Sequence, residues 1–150
     1  MSARWNRFAA AQRPDEIARQ HDLLARIEPT RLILTALVYG LNMIFLPPWL
    51  CALLAATDTM AEWFGLRWLD GLNPAANPRR YLAALFSVAV AEISFAVPAA
   101  LIWQQDSQFA KAFAVGTVCM TLLQLLTVRA IHLPGAMVGW FTVGLTMIVG

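Results

Sequence analysis

Charge nearly disappears from this chain after its first thirty residues. Between Leu32 and Gly150 ten charged residues are spread over 119 positions, whereas the first 31 positions hold six arginines and four acids. Soluble domains carry about 25 % charged residues, and this chain carries 13 %. So long a run with so little charge points to hydrocarbon as the surrounding solvent. There every backbone group must be satisfied internally, which favours helices. The expected fold is therefore all-α: a polytopic transmembrane helical bundle behind a polar head at residues 1–30.

Prolines and aromatic residues punctuate the apolar part. A bilayer core needs about 20 apolar residues as a helix. Five visible spans are expected, at about 31–46, 49–69, 81–103, 109–128 and 134–150, with Pro98 kinking the third. The second is the weakest, because Asp58 and Glu62 lie inside it. The last is still apolar at Gly150, so a sixth span is expected beyond it.

In the head, Pro14 followed by Asp15 and Glu16 reads as a helix start. Ile17, Leu23, Leu24 and Ile27 form an apolar stripe, and Glu28-Pro29 should end the helix. This is expected to be an amphipathic helix lying at the membrane interface, with Trp5 and Phe8 upstream as anchors. Asp15–Arg19 and Asp22–Arg26 have the spacing of helical ion pairs.

Orientation follows from the basic residues, which favour the cytoplasmic side. With five spans, Arg67, Arg79, Arg80 and Arg129 join the six head arginines inside, and Lys111 alone is outside, a ratio of ten to one. A four-span alternative, with 57–80 as an external loop, gives seven to four. The stretch "GLNPAANPRRY" is thus a cytoplasmic turn, and the N-terminus is cytoplasmic in a multi-pass plasma-membrane protein.

The residues most suggestive of chemistry are acids. Asp58 and Glu62 are four apart and share a helix face; Glu92 lies near the middle of the third span. A charge at that depth costs about 2.5–3.5 kcal/mol, and no cation is expected there. The functional reading is a proton-responsive or cation-binding site facing the bundle interior. The structural reading is carboxyl groups hydrogen-bonded to Asn42, Thr59, Ser94 or backbone carbonyls. His132, beside Arg129, is expected as a snorkelling interfacial side chain. Cys51 and Cys119 are isolated. There is no glycine-rich phosphate loop, metalloprotease histidine pair, nucleophile elbow or Cys-x-x-Cys. No catalytic residue, metal, cofactor or nucleic-acid partner is expected.

The layout resembles the N-terminal membrane region of bacterial multi-span sensor histidine kinases, especially the hybrid type of alphaproteobacteria. The resemblance rests on "FLPPWLCALL", "AEWFGLRWL", "NPRRYLAAL", "VPAALIWQQD" and "LLTVRAIHLP". It implies a sensing and anchoring module in the bacterial inner membrane. Such a module forms a homodimer and passes its signal to a cytoplasmic output domain, in cis or on a partner membrane protein. In such proteins the catalytic part follows the last span, beyond residue 150 of this sequence. Two other readings come from the residues themselves: a small accessory subunit of a larger membrane complex, and a cation or proton transporter subunit.

Overall fold

The computed structural model describes residues 3–128 and 132–149, apart from the side chains at 124, 127, 128 and 149. Among them the chain forms six helices and no strand: α1 (Ala3–Ala10), α2 (Pro14–Asn42), α3 (Pro48–Leu69), α4 (Pro78–Trp103), α5 (Gln108–Val128) and α6 (Leu133–Val149). Three of these open on proline, at Pro14, Pro48 and Pro78. A first-turn N–H has no helical acceptor, so proline there loses nothing. α3 closes where Gly71 takes the left-handed conformation (φ 57°), which a side chain would disfavour.

α4 is the hub. It packs against α3, α5 and α6, while α2 rests mainly on α3. Its buried faces carry many small residues, among them Ala84, Ser87, Ala91, Ala96 and Ala99. Small side chains let helices approach closely. At the α3–α4 contact a Cβ on Gly65 would stand 2.7 Å from Ser87 Oγ, so only glycine fits there without displacing Ser87.

Consecutive long helices alternate in direction. At one end, the head side, Trp5 Nε1 donates to the carbonyl of Pro78 (3.0 Å). At the far end Gln105 Nε2 donates to the carbonyl of Phe45 (3.0 Å), tying the α4–α5 turn to the α2–α3 turn. The head-side core joins Ile17 and Leu24 to Leu69, Leu72, Tyr81 and Leu85. The far core packs Ala99, Ile102, Ala110 and Ala114 with Phe45 and Phe113 around them.

The head departs from the sequence expectation. Glu28-Pro29 does not end the helix, and α2 runs through Pro29 to Asn42. Proline removes one backbone bond and crowds the carbonyl four residues back. Ala25 and Pro29 are both exposed, so that carbonyl is not sealed in the core. The gain is phase: Ile17, Leu24 and Arg31 are seven apart, about 20° short of two full turns, and all three are buried. The apolar stripe of the head is therefore covered by the bundle instead of being free to lie on a membrane surface. Trp5 and Phe8 belong to a further helix, α1, and stack on Tyr81 at 5.8 and 6.3 Å. Asp15 and Asp22 lie beside Arg13 (3.4 Å) and His21 (3.6 Å), nearer neighbours than the arginines four residues on.

Pro98 is likewise interior to an unbroken α4. Lacking an N–H, it leaves the Ser94 carbonyl without a helical donor. The Tyr39 hydroxyl of α2 supplies one at 2.9 Å, in a buried position.

Candidate functional site

The unbroken phase of α2 determines the site. Because Arg31 continues the buried stripe, its guanidinium turns toward α3 and pairs with Glu62. Arg31 is 9 % exposed, so this pair is largely withdrawn from solvent. One turn back along α3, Asp58 faces the same way and is 4 % exposed. From α4, Glu92 enters at 5 % exposed. All four line one cavity of about 390 Å³ between α2, α3, α4 and α5. The structure thus brings Asp58, Glu62 and Glu92 together, and adds a cation that the sequence places only at the edge of the first span.

Apart from Thr30 and Thr35, the rest of the cavity wall is apolar. Leu34 and Val38 come from α2, Ala91 and Phe95 from α4, Met120 and Leu123 from α5. Two constraints fix the floor. Gly139 of α6 lets Glu92 lie close: a Cβ there would stand 3.4 Å from Glu92 Cγ and 2.5 Å from Leu125 Cδ2. Tyr39, held by its bond to Ser94, meets Phe95 edge-on at 6.0 Å. On the other side of the Arg31–Glu62 pair lies a second hollow of about 240 Å³, lined also by Glu28, Thr59 and Trp63. The pair therefore stands as a partition between two hollows.

The arginines expected to set orientation have distinct surroundings. Arg80 Nη2 donates to the carbonyls of Arg67 (2.8 Å) and Asp70 (2.6 Å), capping the end of α3. Arg67 lies over the Trp63 ring at 4.3 Å, a cation–π contact. Arg79 is exposed in the first turn of α4. Arg129 lies outside the described residues.

Two expectations about polar side chains are corrected. Asn42 is fully buried, and neither its Oδ1 nor its Nδ2 makes a hydrogen bond, so it does not partner the acids. His132 does not snorkel: it is buried, with Nε2 3.0 Å from the Tyr81 hydroxyl. Proximity to Arg129 in sequence suggests the surface, but the docked head covers this end. Among the described residues no three His, Cys, Asp or Glu side chains converge closely enough to hold a metal ion.

The sequence does carry a signal for Arg31, in the spacing of Ile17, Leu24 and Arg31, once Pro29 is taken as tolerated. Tyr39 has a signal too, since an interior Pro98 calls for a donor from a neighbouring helix.

No family model matches the chain, and neither the curated proteins nor the solved structures contain a match.

Proposed function

We propose that this chain is the membrane-embedded sensing and anchoring module of a bacterial signal-transduction protein, of the kind found ahead of sensor histidine kinases. The observation that carries the reading is the convergence of Asp58, Glu62, Glu92 and Arg31 on one cavity. Buried ionisable groups at such depth are costly, and in membrane proteins they mark functional sites by default. The turns at the far end are short, leaving no room for a ligand-binding domain there. A stimulus acting on this module would therefore act within the bundle, biasing how α2 and α5 pack and passing that bias on to a cytoplasmic output, typically in a homodimer.

Three features support the membrane setting. α4 is long and apolar enough to cross a bilayer, with a mean hydropathy of 2.1 over its best window, although much of that window is buried in the bundle. α5 and α6 contain shorter apolar stretches, Gln108–Leu123 and Leu133–Ile148. Large apolar side chains face outward all round, including Ile33, Leu53, Phe86, Phe109, Phe141 and Ile148. Monomeric soluble proteins rarely expose so much contiguous apolar surface. The head-side end also gathers Arg67, Arg79 and Arg80, as the inner-membrane orientation with a cytoplasmic N-terminus requires.

The test is a cysteine map in intact cells, with Cys51 and Cys119 replaced by alanine. A membrane-impermeant maleimide should label Ser107→Cys from outside, and label Gln12→Cys and Asn73→Cys only after permeabilisation. Labelling of Asn73→Cys in intact cells would reject the five-span arrangement. With the chain joined to an output domain, Glu92→Gln should then change the signal without changing this map.

The partition formed by Arg31 and Glu62 favours one second reading, a cation or proton transporter subunit. Ion flux in proteoliposomes holding this chain alone would select it.

A further inference from the structure

α4, the hub, keeps one narrow face outward, and a cation stands at its head. Arg79, Leu82, Phe86 and Ile93 follow at steps of three, four and seven residues, so they share that face. Arg79 is exposed, and the apolar three are 47, 66 and 41 % exposed. Ile93 lies about 21 Å along the axis from Arg79, the depth of one leaflet with its headgroups, half of roughly 40–45 Å. On the last turns of α3, Trp63, Phe64 and Trp68 follow one another in ring contact at 4.9 and 5.6 Å, as an aromatic belt at headgroup level does. The arginines at this end differ in what they hold. Arg80 is bound to the carbonyls of Arg67 and Asp70, and Arg67 lies on Trp63. Arg79 has no such partner among the described residues. The docked head brings Arg4 and Arg7 to the same end, since Trp5 bonds to Pro78, the residue before Arg79. Asp15 and Glu16 are taken by Arg13, and Asp22 lies beside His21. Among the described residues no acid, Asp70 included, pairs with Arg4, Arg7 or Arg79.

We infer that this face binds an anionic phospholipid of the inner leaflet, its phosphate held by Arg79 with Arg4 and Arg7, and one acyl chain lying along Leu82 and Phe86 toward Ile93. This rests on the membrane-module reading and gives that module a lipid partner. Charge complementarity selects the occupant: three unpaired guanidinium groups favour a headgroup of net negative charge over a zwitterionic one. The order of residues selects the source. Free phosphate would use the arginines alone, whereas a lipid uses the cations and the apolar lane below them together. A second copy of this chain in the same orientation would set Arg79 against Arg79, like charge against like. Because the phosphate touches both α1 and α4, the lipid also fastens the head to the hub.

The experiment uses the full chain in phosphatidylcholine nanodiscs holding a small fraction of phosphatidylglycerol with a diazirine in one acyl chain. Adducts are mapped to peptides after photolysis. The segment from Leu82 to Ile93 should be labelled saturably, and about tenfold less by a phosphatidylcholine probe at the same fraction. Arg79→Gln should weaken the phosphatidylglycerol labelling about fivefold, as loss of one arginine at the membrane surface predicts. Arg4→Gln combined with Arg7→Gln should weaken it at least as much. Arg19→Gln, which removes an exposed arginine of α2, should leave it nearly unchanged. All of these side chains are exposed, so the fold is spared. Equal labelling by the two probes would overturn the anionic specificity. An equal loss in Arg19→Gln would overturn the site, and suppression by added inorganic phosphate would overturn the lipid as its occupant. If any of these occurs in a chain that still gives the five-span cysteine map, the lipid site fails and the membrane-module reading survives. Labelling of Asn73→Cys in intact cells would instead remove the reading beneath it.

Discussion

From the head side to the middle of the bundle, buried Arg31, Asp58, Glu92, Gln20 and His132, with the partly buried Glu62, share the interior with apolar groups. In the far half, Ala99, Ile102, Ala110 and Ala114 pack with Phe45 and Phe113, and no charge is buried among the described residues there. Apart from the buried Asn42, the far half is held by shape: small residues on α4 and α5 bring the helices together and aromatic rings fill what remains. The head-side half needs each polar group placed, because a buried charge that loses its partner costs more than a lost contact. Under the proposed function that contrast singles out the acid-lined cavity, since a pure anchor could be built like the far half throughout.

The sharpest way to break the contrast is Glu62→Leu, which leaves Arg31 buried beside an apolar side chain. The expected loss is about 3–5 kcal/mol of bundle stability, read by circular dichroism during unfolding in mixed micelles. Combining it with Arg31→Met should restore most of that loss, because a matched apolar pair needs no counter-charge. Failure of the double variant to recover would mean that the pair is held by more than its own charges.

Next in size is Ile102→Ala in the far half. About 2 kcal/mol is expected, near the low end for such truncations, because in the membrane setting proposed above lipid tails offer the removed methyl groups an equally apolar environment. The same micelle assay checks it, and the effect of Glu92→Gln on the signal should be unchanged. An altered effect would show that the two halves are not separable.

Tyr39→Phe should cost about 1 kcal/mol by stranding the Ser94 carbonyl. In a Pro98→Ala background the helix regains its own donor, and the cost should nearly vanish. An undiminished cost there would assign the Tyr39 hydroxyl to a different partner. Smallest is Arg80→Ala, which uncaps the carbonyls of Arg67 and Asp70 at the end of α3. About 0.5 kcal/mol is expected from a partly exposed bond, with local hydrogen-exchange protection falling in the last turn of α3 and nowhere else.

Much of the helical layout is legible in the sequence because prolines mark it. Pro48 and Pro78 open helices, and the apolar segments expected at 109–128 and 134–150 coincide with α5 and α6. The depth of Asp58, Glu62 and Glu92 is legible as well, since each sits inside an otherwise apolar run. What escapes is tertiary. Local steric rules end a helix at Glu28-Pro29, yet packing of Ile17, Leu24 and Arg31 on one face outweighs them. From that single point the other differences follow: Arg31 left at an edge, the head laid on the surface, and His132 sent to solvent when Tyr81 and the docked head enclose it.

The central claim is that the state of the buried acids sets how α2 packs against α5. Spin labels at Leu37→Cys and the native, exposed Cys119, with Cys51→Ala removing the third thiol, report that spacing in nanodiscs by double electron–electron resonance. Glu92→Gln should displace the distance distribution from that of the parent, whereas Asp106→Asn, at an exposed acid outside the cavity, should leave it in place. Superimposable distributions for the parent and Glu92→Gln would contradict the account, reducing the acid-lined cavity to a passive feature of the fold.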